Sequence, residues 1–182
     1  MANSAHLPWA VVCLASQRLF LYDAQGVCQR IYPVSTAQRG PGQQQGSGQT
    51  PLGRHRIRAM IGRGLPLGTV FRGRRPTGEQ VPIAEGRVVT PLPSHLAKGD
   101  AITTRILWLC GEEVGWNRLG RVDSQRRFIY LHGTADETHL GQAVSHGCIR
   151  LANGAIAELA MLLPAGSRLW ILTYWPLTRN RS

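Results

Sequence analysis

Acyl transfer by a cysteine needs a base for the thiol, a turn that exposes the sulfur, and backbone amides for a developing oxyanion. Residues 132–153, reading HGTADETHLGQAVSHGCIRLAN, hold residues suited to all of these. Cys148 sits in the turn Ser145-His146-Gly147-Cys148. A free thiol near pKa ~8.5 is mostly protonated at neutral pH, so an imidazole within hydrogen-bond reach is required. His132 and His146 are both available, and a base need be adjacent only in the fold, not in the sequence. Gly147 removes a side chain beside the nucleophile, permits close approach of substrate and leaves backbone N–H groups for an oxyanion. A metal reading of His132, His139, His146 and Cys148 lacks the usual CxxC, HxxxH or HExxH spacings. Thioredoxin-like chemistry lacks its CxxC pair.

The elements that position these residues follow from periodicity. Phe128-Ile129-Tyr130-Leu131 is short, aromatic and β-branched, which predicts a buried strand ending at His132. Gly133 would let the chain turn and free its carbonyl to hold the imidazole. After Cys148 the pattern reads as helical. Residues 153–163 are the helix proper, with Asn153 as N-cap, Ile156, Leu159, Ala160 and Leu163 on one face, and Pro164 and Gly166 beyond its end. Further strands are expected at 9–14, 18–22, 27–34, 54–60, 102–110 and 167–175. Residues 36–48 form a long Gly/Gln/Ser loop, and 62–86 a second Gly- and Pro-rich one. Residues 92–101 read as a turn or short helix, and 178–182 as a frayed tail. His55 reads as a packing or surface residue, Cys13 and Cys28 as buried structural thiols, and Cys110 as inert. Trp116, in a polar loop, could wall a substrate pocket or cap the core. The arginines of the most basic segment (70–79), with Arg72 as the candidate substrate contact, suit carboxylate recognition.

The central stretch resembles the L,D-transpeptidase catalytic domain (YkuD-like) family, whose motif is HG[TS] followed by [ST]HGC[IV]R. Pro33-Val34-Ser35-Thr36, Thr50-Pro51-Leu52-Gly53 and Gly166-Ser167-Arg168-Leu169-Trp170-Ile171 resemble further family segments in the right order. Residues 62–120 match least and read as specific to a subgroup. The resemblance implies one domain over 1–182, mainly β, a mixed-sheet sandwich with one helix after the nucleophile. It assigns Cys148 as nucleophile and His132 as base. It also assigns the Gly133 carbonyl as the group orienting His132, and the Gly147 and Cys148 amides as oxyanion donors. Ser145, His146 and Arg150 are matched positions, read as substrate-binding, with Arg150 alternatively bracing the turn. The implied reaction is cleavage of the diaminopimelate–D-alanine bond of a peptidoglycan tetrapeptide or muropeptide through a Cys148 thioester, with no cofactor and no metal. Water as acceptor makes an L,D-carboxypeptidase, and an amine makes an L,D-transpeptidase. The resemblance also leads to the expectation that a carbapenem acylates Cys148.

The 182 residues are 43% hydrophobic and 17% charged, a globular rather than disordered composition. The net charge of +11 is almost all arginine, since Lys98 is the only lysine. Such charge raises an anionic partner, including nucleic acid, but no basic run or nucleic-acid fold motif accompanies it. No stretch reaches the ~18 apolar residues of a membrane span. Residues 7–16 lack the flanking positive charge of a signal peptide, and four scattered cysteines make no disulfide framework. Both features lead to the expectation of a cytoplasmic protein, or a periplasmic one if the chain is trimmed. There it would act by hydrolysis on recycled stem peptides.

Overall fold

The computed structural model describes residues 7–97 and 101–176. Its strands, in chain order, are β1 (Trp9–Cys13), β2 (Arg18–Tyr22), β3 (Cys28–Pro33), β4 (Gly53–Ile61), β5 (Thr69–Arg72), β6 (Arg75–Gln80), β7 (Ile83–Ala84), β8 (Arg87–Val88), β9 (Ile102–Gly111), β10 (Tyr130–Thr134), β11 (Ile149–Leu151) and β12 (Arg168–Leu172). Two α-helices, α1 (Ser94–Ala97) and α2 (Asn153–Leu162), and a 3-10 turn at Gly120–Val122 accompany them among the described residues. Ten strands form one mixed sheet, in the order β11-β10-β9-β4-β12-β1-β2-β3 with β5 and β6 branching from β9. A bridge between Ser35, just past β3, and Arg150 in β11 joins the two ends of that order. The sheet is therefore curled on itself, and both layers of the expected sandwich belong to it.

Alternation along the strands explains the curl. Ala10, Val12, Leu19, Leu21, Ile57, Leu107, Leu109, Leu131, Ile149, Leu151, Leu169 and Ile171 point to one interior, which Ile156, Leu159 and Leu163 of the α2 segment complete. Fully burying a side chain of this size contributes about 1.5–3 kcal/mol. Residues on the opposite faces, such as Val11, Phe20 and Tyr22, pack outward under Trp9, Trp170 and Trp175.

Several boundaries differ from the expected ones. Phe128 is half exposed with φ +57°, so it lies before the strand, and β10 instead runs through His132 and Gly133. The chain after Cys148 is a short strand, β11, before it becomes helical. Asn153 is the first residue of α2 rather than its cap, and the Glu137 carboxylate accepts its N–H at 2.7 Å. The expected loop at 62–86 contains the β5–β6 hairpin, whose two central residues, Gly73 and Arg74, have φ +54° and +77°. Pro76, Gly78 and complete exposure of β6 hide that strand from periodicity. Cys13 is buried as expected, whereas Cys28 is only half-buried. The region expected as a turn or short helix yields α1, with residues 98–100 outside the described residues, as is the expected frayed tail at 178–182.

His55, in β4, is fully buried. Its Nδ1–H donates to the Gly53 carbonyl at 3.0 Å, and Nε2 accepts from Ser124 Oγ at 2.8 Å. Burial pulls its pKa down to about 4, against about 6.5 in an unfolded chain. Below pH 6.5 the unfolded state takes up this proton first, so stability falls as pH drops from about 6.5 to about 4, by about 3 kcal/mol for this group. Urea unfolding of the wild type and His55→Gln across that window is expected to show the slope reduced in the variant; identical slopes refute the assignment.

Candidate active site

β10 and β11 run parallel, with Leu131 opposite Ile149, His132 opposite Arg150 and Gly133 opposite Leu151. Odd-numbered residues of both strands enter the main interior. Tyr130 and Cys148 pack on the other side with Phe71 and Ile106. The period of two puts His132 on the Tyr130 side. Cys148, directly before β11, therefore shares a face with the imidazole one strand away.

Geometry fixes the imidazole's chemistry. His132 is 1% exposed, and its Nδ1 lies 2.7 Å from the Gly133 carbonyl. A carbonyl only accepts, so the proton is on Nδ1 and Nε2 is the basic nitrogen. The reason for a glycine at this position differs from the expected one. Gly133 makes no turn; a Cβ there would meet the Thr103 carbonyl oxygen at 2.7 Å and Asn153 Oδ1 at 2.8 Å. A bulge between His132 and Gly133 brings β9 this close. Asn153 locks the arrangement from below. Its Oδ1 accepts from the Thr103 and Thr104 hydroxyls, at 2.6 and 2.5 Å, and its Nδ2 donates to Thr134 O and Glu137 Oε1, both at 2.8 Å.

The turn that carries Cys148 is held as tightly. Gly147 has φ +134°, a conformation that side chains rarely adopt, and its carbonyl accepts from Thr50 Oγ1 at 3.0 Å. Ser145 is 1% exposed. Its hydroxyl donates to the Cys148 carbonyl at 2.6 Å and accepts the Gly147 N–H at 3.2 Å. The Ser145 hydroxyl thus ties the turn internally and engages the Gly147 amide. The Cys148 thiol is partly exposed and donates to the Phe128 carbonyl at 3.4 Å.

The other expected substrate residues occupy different settings, His146 and Arg150 within two residues of Cys148 and Trp116 and Arg72 on other segments. His146 is exposed on the turn. Arg150 is 6% exposed and its backbone N–H and carbonyl both bond to Ser35, at 2.9 and 3.0 Å, so it braces the sheet closure. Trp116, half exposed, lines a cavity of about 400 Å³ with Pro41, Gln43 and Gln44, which neither Cys148 nor His132 lines. Arg72 is exposed at the end of β5. Among the described residues no group of three or more metal-ligating side chains occurs, and no helix is long and apolar enough to cross a membrane.

Arg127 escaped the sequence reading, and Arg74 was read only as one of the arginines of the 70–79 segment. Arg127 reaches across to the 36–50 loop. Its Nη1 donates to the Gly42 and Gln43 carbonyls at 3.0 and 2.8 Å, and its Nη2 to the Gln49 carbonyl at 2.5 Å and Ser47 Oγ at 3.4 Å. Burial pulls the guanidinium's pKa down, and the nearby Cys148 thiolate opposes that shift. The loop it secures also contacts the nucleophile turn, through the Ala37–Ser145 bridge and through Thr50. Arg74 stacks over Trp108 and Phe128, 4.8 and 4.9 Å from their ring centres, and donates to the Tyr130 hydroxyl at 3.0 Å. Burial pushes the Tyr130 phenol up, and the Arg74 hydrogen bond opposes it. The one available signal for Arg127 was its place directly before the Phe-Ile-Tyr-Leu-His run. Arg74 carried none that separated it from Arg72 and Arg75.

This mainly β fold, with a thiol at the start of one strand and an oriented imidazole on the parallel strand beside it, defines a cysteine acyl-transfer domain. The L,D-transpeptidase catalytic domain model matches residues 8–171, and the chain belongs to that family. It is 33% identical over 92 residues to the putative L,D-transpeptidase YkuD of Bacillus licheniformis, covering 50% of each chain. It is 46% identical over 41 residues to that of Bacillus subtilis, covering 22% of this chain and 25% of the relative. The chain's matches thus span half or less of these relatives. Among solved structures, it resembles L,D-transpeptidase 3 from Mycobacterium tuberculosis in complex with a faropenem-derived adduct, with a TM-score of 0.56, 12% identity, and 92% of this chain and 60% of the other covered. An L,D-transpeptidase from Mycobacterium smegmatis aligns with a TM-score of 0.51, 16% identity, and 91% and 58% coverage. These likenesses establish the fold.

Two outcomes follow from the site. Replacing His132 by Gln is expected to slow alkylation of Cys148 at pH 7 by about tenfold or more, followed as the modified peptide by mass spectrometry; an unchanged rate excludes His132 as the base. Arg127→Ala is expected to open the 38–48 segment to limited proteolysis, and equal cleavage of wild type and variant would show that the clamp is dispensable.

Proposed function

We propose that this chain is a cysteine peptidase of peptidoglycan stem peptides, removing the terminal D-alanine after diaminopimelate, with water as the preferred acceptor. The observation that carries the reading is the buried His132 imidazole, fixed by the Gly133 carbonyl on the strand beside Cys148. In the first step His132 Nε2 takes the thiol proton and the Cys148 thiolate attacks the peptide carbonyl. The C–N bond breaks, the leaving amine receives the proton from His132, and a thioester remains. His132 then takes a proton from water, hydroxide adds to the thioester, and the acid and the Cys148 thiol are released. The Cys148 N–H is assigned to the oxyanion, since the Gly147 N–H is engaged by Ser145.

Partial exposure of Cys148 favours water as acceptor, because a small molecule reaches the thioester without a second peptide site. The free thiols Cys13, Cys28 and Cys110 fit a reducing compartment, which supports a cytoplasmic location where soluble stem peptides are the substrate. The second reading is transpeptidation, with an amine in place of water. Mass spectrometry of a tetrapeptide stem incubated with the protein, with and without a D-amino acid, separates the two. Loss of the terminal D-alanine in both mixtures is the expected result, and Cys148→Ala abolishes it. Exchange or dimer formation would establish the amine acceptor, and an unchanged peptide would overturn the substrate.

A further inference from the structure

The β5–β6 hairpin carries Arg72, Arg74 and Arg75 past the nucleophile, and the structure organises only one of them. Arg72 and Arg75 are exposed. Arg74 is half-buried, in a left-handed conformation at φ +77°, with its guanidinium laid against the Trp108 and Phe128 rings and its Nη1 on the Tyr130 hydroxyl. Among the described residues this is its one hydrogen bond, and it meets no carboxylate. A guanidinium carries five N–H donors in a rigid fork, and stacking on aromatic faces leaves the in-plane donors pointing outward. Immobilised in this way, and without an acid of its own chain, it is prepared to take one from a ligand.

Its position selects which acid. Arg74 and Cys148 share two neighbours. Phe128 gives its ring to Arg74 and its carbonyl to the Cys148 thiol; Tyr130 bonds to Arg74 and belongs to the cluster against which Cys148 packs. In a peptide losing one residue, the terminal carboxylate belongs to the residue just after the attacked carbonyl, and consecutive Cα atoms are about 3.8 Å apart. A cation one aromatic side chain from the sulfur meets that carboxylate rather than a distant one.

We infer that Arg74 is a specificity-determining residue that binds the C-terminal carboxylate of the peptide cleaved at Cys148, making the domain an exopeptidase. This rests on the proposed reading of Cys148 as the acyl-transfer nucleophile. It narrows to Arg74 the carboxylate recognition expected of the arginines of residues 70–79, among which Arg72 was the candidate.

The test compares kcat/KM for a tetrapeptide stem as free acid and as C-terminal amide, in wild type, Arg74→Gln and Arg74→Lys. The wild type is expected to prefer the acid by about tenfold to a hundredfold, the worth of a charge-assisted hydrogen bond. In Arg74→Gln that ratio is expected to collapse towards one, and in Arg74→Lys to be kept in part. Cys148 alkylation reports whether each variant retains an assembled site; if Arg74→Gln does not, the lysine variant carries the comparison. An acid-to-amide ratio unchanged by substitution overturns the inference alone. Cleavage of neither peptide by the wild type overturns the proposed function, and the inference with it.

Discussion

The register between two short parallel strands is the constraint on which the site depends. Opposite residues run Leu131–Ile149, His132–Arg150 and Gly133–Leu151. A slip of one residue would turn every side chain of β11 to the other face. Ile149 and Leu151 would leave the interior, and the thiol before them would move away from the imidazole. The same apolar burial that stabilises the fold therefore sets the geometry of the chemistry. Three groups enforce the register where three residues of pairing would be weak. Asn153 ties β9 to the start of α2, Ser35 seals the outer edge of β11, and Thr50 holds the Gly147 carbonyl.

Much of this was legible in the sequence. Short apolar runs gave most strands of the sheet, and the helix after the cysteine was read from its spacing to within a residue or two. Cys148, His132 and the Gly133 carbonyl were readable because their chemistry depends on residue type and on neighbours close in the chain. What escaped is non-local. Ser145 reads as a polar motif residue, and only the folded turn shows its hydroxyl used twice within that turn. Gly133 looked like a turn glycine, yet its need arises from β9 pressing against it. The β5–β6 hairpin has no apolar alternation in its second strand, since all of β6 is exposed. Phe128 belongs by composition to the strand that follows, and is excluded from it by a left-handed backbone.

The charge also takes on a different meaning. A net charge of +11 reads as a basic surface for an anionic partner. Some of that charge is internal. Arg150 is nearly buried in the sheet closure, Arg127 is packed among carbonyls, and Arg74 lies against two aromatic rings. Arginine suits these places where lysine would not, because one planar group reaches several acceptors and is weakly hydrated. Counting residues overstates how much of the charge an incoming macromolecule meets.

Arg127 grips the 36–50 loop mostly by main-chain oxygens, at Gly42, Gln43 and Gln49. Every amino acid offers that same oxygen. The loop's side chains at those positions are therefore free to drift over evolutionary time, while the guanidinium opposite them is not. Aligned by sequence, such a loop would look unconstrained even where its path is fixed, and the record of that constraint would be written at a single position some eighty residues away.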